Sequence, residues 1–348
     1  MATSTGIWLR RETAPNEQRT PLVPGDAAEL VAGGVRVTVE ESAHRAFPAV
    51  EYEMAGCRVV PGDTWPDALP NDVVLGLKEP SFASSALSHR HVFFGHAYKG
   101  QGGGPGLLRR FTAGEGTLLD LEYLTDDTGH RVVAFGYWAG YVGAALAVLQ
   151  HRGQLIAPLT ELTRPELDGR LRGSADGARA LVVGALGRSG QGAREALAVA
   201  GVPATAWDIA ETRDLDREAL LDHDILINAV FATEPGTPFL TAADVARPGR
   251  RLTVVSDVTC DVTSACNRLP IYQQVTDWAE PVRRLHDVPP LDLISIDNLP
   301  SLLPRESSVA FSHSLLPQLT ALMSRRAAVW NRCEEHFHHA LRMMTSNK

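Results

Sequence analysis

The stretch RALVVGALGRSGQGA, residues 179–193, constrains what this chain can become more than any other part of it. An apolar run empties into glycines at 184, 187, 190 and 192, and a helix-forming sequence, REALAVAG, follows at once. A strand that ends in glycines and re-emerges as a helix is the first βα turn of a doubly wound sheet. Gly184, Gly187 and Gly190 allow the tight turn and let backbone amides at the helix N-terminus approach a pyrophosphate. The spacing is G-x-x-G-x-x-G, not the strict G-x-G-x-x-G, and such a turn alone needs no ligand. Context adds weight: the next strand, TAWDI, ends at Asp208, 18 residues after Gly190. That is close to the place of the acid that binds an adenosine ribose. A carboxylate there repels a 2′-phosphate, so the pattern predicts NAD; Arg213 lies near enough to keep NADP open.

The surrounding sequence repeats the same alternation. After TAWDI come apolar runs DILINAV, RLTVVSDV and LDLISID, each read as a strand. The first 135 residues alternate likewise: GIWLR, VRVTVEE (period-two alternation), DVVLGLK, HVFFGH, GTLLDLEYL and HRVVAFG as strands. PGDAAELVAGG reads as a helix opened near Asp26 and stopped at Gly33 and Gly34. Strands alternating with helices predict α/β architecture with mainly parallel sheets. YWAGYVGAALAVLQH, residues 137–151, is a helix of small residues suited to close packing between two domains. RPELDGRLRGSADG reads as a polar connector, and the tail from Phe311 to Met344 as one or two helices able to fold back on the first domain.

Composition excludes several classes. At 348 residues two domains are expected, and 44% hydrophobic with 21% charged residues is ordinary for a chain that buries full cores. A net charge of −8 argues against nucleic acid or an anionic membrane as partner. YVGAALAVL is too short to span a bilayer, and the first residues lack an apolar signal core. Cys57, Cys260, Cys266 and Cys333 form no C-x-x-C pair and no metal spacing. Cys260 and Cys266 invite a disulfide reading, but reduced thiols in a cytoplasmic enzyme are the expectation.

Of 33 Lys plus Arg residues, only Lys78, Lys99 and Lys348 are lysines. The two internal ones flank a histidine: Lys78 closes DVVLGLK, and His96 opens HAYKGQ, which also holds Lys99 and Gln101. Lysine can serve as a base because burial or nearby cations lower its pKa, whereas arginine stays charged. Glu79, Glu122, Arg19 and Arg131 supply further carboxylates and cations in the same half. A dehydrogenase acting on an amine needs a base, a second proton-transfer group and cationic clamps for carboxylates. Taken singly, each has a plainer reading: a strand-end Lys-Glu pair is usually a solvated ion pair, and Glu122 could merely pair with Arg131. Their joint presence beside a nucleotide fold favours the catalytic one.

The motifs LRRETAPNEQRTPLVP, GLKEP, GHAYKGQ, GTLLDLEYL, RVVAFGYWAGYVGAAL, GALGRSGQGA and ISIDNLPSLLPRESS resemble the NAD-dependent, lysine-forming saccharopine dehydrogenases. These are related more distantly to alanine dehydrogenase and the NAD-binding subunit of transhydrogenase. The resemblance runs from about Ile7 to Trp330. It implies two Rossmann-like domains with a cleft between them: residues 1–134 plus 312–348 for substrate and catalysis, and 135–311 for NAD. The implied reaction oxidises the secondary amine saccharopine to an imine, which water then splits into lysine and 2-oxoglutarate. Lys78 would be the base for the amine and His96 the acid–base for water addition. Glu79 and Glu122 would tune both, and Arg19, Lys99, Gln101, Arg131 and Phe135 would hold the substrate. Arg188, Ser189, Asp208, Thr212, Phe231, Val258 and Asp297 would meet NAD. The resemblance also implies a monomer.

This chain departs from fungal members at several points. Ser189 and Ala229 stand where those enzymes carry a cysteine pair, His130 replaces an arginine, and Asn298 replaces a histidine. Residues 277–293 depart most. The amine is therefore the open element: lysine, or another amine joined to 2-oxoglutarate by an opine-type relative. Direct deamination, as in alanine dehydrogenase, is a second enzymatic alternative. A nucleotide sensor without catalysis is the non-enzymatic one, disfavoured by the retained Lys78 and His96.

Overall fold

The computed structural model describes residues 5–14, 16–80, 86–98, 103–173, 177–324 and 328–346. Two compact units emerge, Met1–Ala134 with Ser307–Lys348, and Phe135–Glu306. Among the described residues each unit is built on one six-stranded sheet.

In the first unit, β1 (Ile7–Leu9), β2 (Val37–Glu40), β3 (Arg58–Val60), β4 (Val73–Leu75), β5 (Arg90–Phe93) and β6 (Thr117–Asp120) alternate with α1 (Pro24–Ala32), α2 (Ala49–Met54) and α3 (Gly104–Gly114). The strands lie in the order β3-β2-β1-β4-β5-β6, all parallel. The order reverses between β1 and β4, which opens a crevice at their carboxyl ends. Parallel strands covered on both faces are apolar throughout, as β1 and β4 are.

In the second unit, α4 (Gly136–His151) and α5 (Arg164–Leu171) precede β7 (Ala180–Val183), α6 (Arg188–Val199), β8 (Ala204–Trp207), α7 (Ile209–Arg213), α8 (Arg217–Leu221), β9 (Ile225–Asn228), α9 (Ala242–Val245), β10 (Val254–Asp257), β11 (Arg283–His286) and β12 (Leu291–Ile294). The order is β11-β12-β10-β9-β7-β8, parallel except for β11. α4 lies against α6: a β-carbon at Gly140 would overlap the Ser189 carbonyl, and one at Gly192 the Tyr137 carbonyl. Small residues at those two positions let the helix backbones approach. Two further helices follow, α10 (Pro304–Met323) and α11 (Ala328–Ser346). Residues Ser307 onward belong to the first unit, where Phe337 of α11 joins the core with Phe111 and Leu107.

Several sequence expectations need correction. VRVTVEE is a strand as read, but its alternation does not mark an exposed face, because β2 is buried at all four positions. Glu40 is fully buried and accepts from Trp8 Nε1, Arg11 N, Asp63 N and Trp65 N at 2.6–3.1 Å, so its alternation marks an internal hydrogen-bonding hub. HRVVAFG is no strand: it makes one bridge, Thr125 to Arg131, across a turn in which Asp126 accepts from the Thr128 and His130 amides. The connector after residue 163 contains α5, opened by a Thr163–Glu166 capping box and burying Leu167 and Leu171 one turn apart. α1 starts at Pro24, and the Asp26 side chain is buried, accepting from the Ser312 hydroxyl of α10. α10 opens at Pro304, seven residues before the expected Phe311, with proline in the first turn where its missing amide costs nothing. β11 lies in the segment that departs most from the family motifs and was not anticipated. Cys260 and Cys266 need no correction: both are free thiols, as expected.

Candidate functional site

In the first unit the chemistry collects at the carboxyl ends of β1, β4, β5 and β6. Glu12 follows β1, Lys78 and Glu79 follow β4, His96 follows β5, and Asp120 ends β6 with Glu122 after it. Parallel pairing in register brings these four exits to one edge.

His96 Nδ1 lies 3.2 Å from Glu122 Oε2. This hydrogen bond, with smaller help from the charges of Glu122 and Asp120, raises the imidazole pKa against the opposing pull of burial and of Lys78. His96 is exposed and sits at φ +48, a left-handed conformation that non-glycine residues seldom adopt. Such backbone outliers concentrate where a side chain must be aimed. Lys78 is half-buried on the neighbouring strand exit. Its own amide, and that of Leu77, are held by the buried carboxylate of Glu12 at 3.1 and 2.6 Å. Glu12 in turn faces Arg10 Nη1 at 3.4 Å, with both side chains almost wholly buried.

The other expected substrate residues fall as follows. Glu79 is exposed and takes a 2.6 Å ion pair from Arg110. Arg19 is buried in a two-pronged pair with Glu17, at 2.7 and 2.6 Å. Its segment is fastened by Ser308 and Ser312 of α10, which accept from the Thr20 and Val23 amides. Arg131 is exposed beside its single bridge to Thr125. Phe135 precedes α4 as the first residue of the second unit. Lys99 and Gln101 lie outside the described residues.

The second unit gathers the expected nucleotide residues at the carboxyl ends of β7, β8, β9, β10 and β12. Gly184 follows β7 with φ +81, Gly187 caps α6, and Arg188, Ser189 and Gly190 form its first turn. A β-carbon at Gly190 would overlap the Gly184 carbonyl oxygen. The turn therefore closes only with glycine, and the first amides of a helix, which have no partner inside it, suit an anion. Asp208 caps α7 directly after β8; its carboxylate accepts from Leu186 N in the glycine turn at 3.0 Å and from Ile209 N at 2.9 Å. Thr212 donates to the Asp208 carbonyl at 2.9 Å. Phe231, 63% exposed, follows β9, Val258 follows β10, and Asp297 follows β12. A glycine turn at a helix N-terminus, a carboxylate one strand over and an exposed aromatic side chain fit an adenine dinucleotide.

Several residues in these sites went unnoticed in the sequence. Asp120 and Glu12 are charged residues at the ends of apolar parallel strands, the same signal that singled out Lys78. Asn228 and Asp257 end β9 and β10 and bind each other at 3.0 Å, while Tyr272 donates to Asp257 at 2.7 Å. Only pairing in space shows these as one network, because they are spread over 45 residues.

Residues 8–142 match the family described as Alanine dehydrogenase/PNT, N-terminal domain, and residues 142–347 match Alanine dehydrogenase/PNT, C-terminal domain. The chain belongs to the alanine dehydrogenase/PNT family. Within it, the chain is 39% identical to Saccharopine dehydrogenase (NAD(+), L-lysine-forming) of Schizosaccharomyces pombe, covering 94% of this chain and 96% of the relative. The enzyme of the same name from Neurospora crassa is 41% identical, covering 96% and 95%. An L-alanine dehydrogenase structure superposes with a TM-score of 0.69 at 18% identity, covering 95% of this chain and 93% of that one. The likeness to alanine dehydrogenase extends to the fold, and the resemblance drawn from the sequence motifs holds. No helix among the described residues is long and apolar enough to cross a membrane.

Proposed function

We propose that the chain is an NAD-dependent dehydrogenase that converts saccharopine, water and NAD⁺ to L-lysine, 2-oxoglutarate, NADH and a proton, reversibly. The observation that carries this reading is identity of 39–41% over nearly the whole length of relatives bearing that activity in their names. The local geometry agrees with it.

Bound NAD supplies a hydride acceptor; the remaining work falls to side chains. The α6 N-terminal turn cradles the pyrophosphate, and Asp208 receives the ribose hydroxyls. Lys78 takes the proton released as the secondary amine becomes an imine. His96, hydrogen-bonded to Glu122, passes protons to and from the water that adds to the imine and the carbinolamine that collapses. The hydrogen bond to Glu122 raises the imidazole pKa, so the protonated form persists further up the pH scale than in a free histidine. Arg19, Lys99, Gln101, Arg131 and Phe135 bind the substrate and its carboxylates, and Glu79 tunes the charge. On this reading the chain works as a cytoplasmic monomer on small molecules, which light scattering on the purified protein would check.

The test is NADH consumption at neutral pH with 2-oxoglutarate and a panel of amines: lysine, ornithine, other diamines and ammonia. Oxidation that needs both lysine and 2-oxoglutarate, with saccharopine identified by mass spectrometry, is the expected result. Turnover with another amine alone would move the reading to an opine-type relative, and turnover with ammonia to an amino-acid dehydrogenase. Lys78→Met and His96→Gln are expected to lower turnover by about 10²-fold or more with the fold retained. Near-normal rates in both would refute the assigned roles.

A further inference from the structure

Asp120 has no part in the roles assigned so far, yet it lies against the backbone that carries the His96–Glu122 pair. It is the last residue of β6, wholly buried, and pairs in register with Phe93, three residues before His96. One carboxylate oxygen accepts from the Glu122 amide at 3.0 Å and so starts the short turn that carries Glu122. The other oxygen is buried and makes no well-aligned hydrogen bond among the described residues, with the Gly95 amide the donor that bears on the carboxylate. It lies beneath Gly95: a β-carbon there would stand 3.1 Å from it and 2.7 Å from Leu118 Cδ2. The carboxylate thus touches the backbone on both sides of the pair, the turn holding Glu122 and the residue before His96.

We infer that Asp120 is a positioning residue for the acid–base pair, setting both the aim of His96 and the charge it experiences through Glu122. Its role in turnover rests on the function proposed above; its effect on His96 does not. The groups around it come from three elements: His96 and Tyr98 after β5, Glu122 and Tyr123 after β6, and Cys333 of α11 with Arg332 beside it. Lys78 bears on His96 from β4. Burial pushes the Asp120 carboxyl up to about 6, opposed by the Glu122 and Gly95 amides. At neutral pH it is mainly a carboxylate, adding a second negative charge near the His96 ring; as pH falls that charge disappears.

The test uses the intact chain and nuclear magnetic resonance of the His96 ring, assigned by the loss of its signals in His96→Gln. In the wild type, the ring should report two inflections, its own and one near pH 6 from Asp120. In Asp120→Asn, which keeps an acceptor for the Glu122 amide, the second inflection should vanish and the imidazole midpoint should move to lower pH. Turnover should fall at least about tenfold, with the acid limb of its pH profile shifted and KM for the amine little changed. Should Asp120→Asn not fold, Asp120→Glu, which keeps the charge and shifts its position, replaces it, and an unchanged ring midpoint and turnover in that variant overturn the inference. An unchanged midpoint in a folded variant overturns it as well. Because the ring titration needs no substrate, failure of the saccharopine assay leaves this result readable on its own.

Discussion

Glu12→Gln isolates what the loop carrying Lys78 depends on. The Glu12 carboxylate accepts from Leu77 N and Lys78 N and faces Arg10 Nη1, whose side chain is 2% exposed. Arg10 Nε and Nη2 already lack partners among the described residues, and the guanidinium lies over Phe93 with its carbon 5.8 Å from the ring centre. Gly76 is glycine for the same reason, since a β-carbon there would overlap the guanidinium. An amide at position 12 keeps one acceptor but turns its NH₂ toward an amide donor, and it leaves the arginine charge buried with its carboxylate gone. Losing a hydrogen bond to a charged group costs about 1.5–3 kcal/mol. Removing one partner of a buried ion pair costs about 3–5 kcal/mol, and because the two effects overlap, the larger range is the expectation. With a urea m-value of about 2 kcal/mol/M, the unfolding midpoint should drop by roughly 1.5–2.5 M. Equilibrium urea unfolding followed by tryptophan fluorescence reads this. Arg10→Met combined with Glu12→Gln removes the stranded charge, so the double variant should recover much of the loss. Turnover should not recover with it, since the Lys78 amide still lacks its carboxylate. A single-variant cost below about 1 kcal/mol would refute the reasoning, as would a double variant no more stable than the single.

Two further outcomes follow from other parts of the molecule. Gly190→Ala should weaken NADH binding at least about tenfold in a fluorescence titration, because the new methyl would meet the Gly184 carbonyl and spread the cradle; undiminished affinity would show that the turn is not the pyrophosphate site. His91 is fully buried, and burial, then the charges of Arg10, His89 and Arg110, hold its pKa well below 6.5. The unfolded chain therefore takes up a proton below about pH 6.5 that the folded one refuses, so stability should fall with pH by up to about 1.4 kcal/mol per unit. Subtracting the pH dependence of His91→Phe from that of the wild type should expose this slope between pH 7.5 and 5.5, and a flat difference would contradict a buried neutral ring.

The sequence alone determined the architecture of both halves, because local chemistry leaves little choice there. Four consecutive apolar residues ending in Gly184, with Asp208 one strand on, specify a βα turn and its ligand class through backbone sterics and charge. The same kind of signal, a charged residue closing an apolar strand, made Lys78 legible. His96 and Glu122 could be named as candidates but not as partners, since the contact joins loops after different strands and depends on the register of β5 against β6. Glu40 reads as the solvent side of an alternating strand, yet it is wholly enclosed, because burial is set by what covers the sheet from distant segments. Asp120 and Glu12 carried the same strand-end signal, but what they hold could not be read: Glu12 binds backbone amides of the β4 exit and Asp120 lies beneath Gly95 of the β5 exit, and such partners are fixed by distance, not by order in the chain. Arg19 looked like a free cation in sequence and is bound to Glu17, two residues away, by a backbone path that α10 holds from nearly 290 residues downstream. Short-range sterics and hydrophobic pattern wrote the strands and turns; the pairing of buried charges came only with the tertiary fold, which removes water and leaves each charge to find the nearest opposite one.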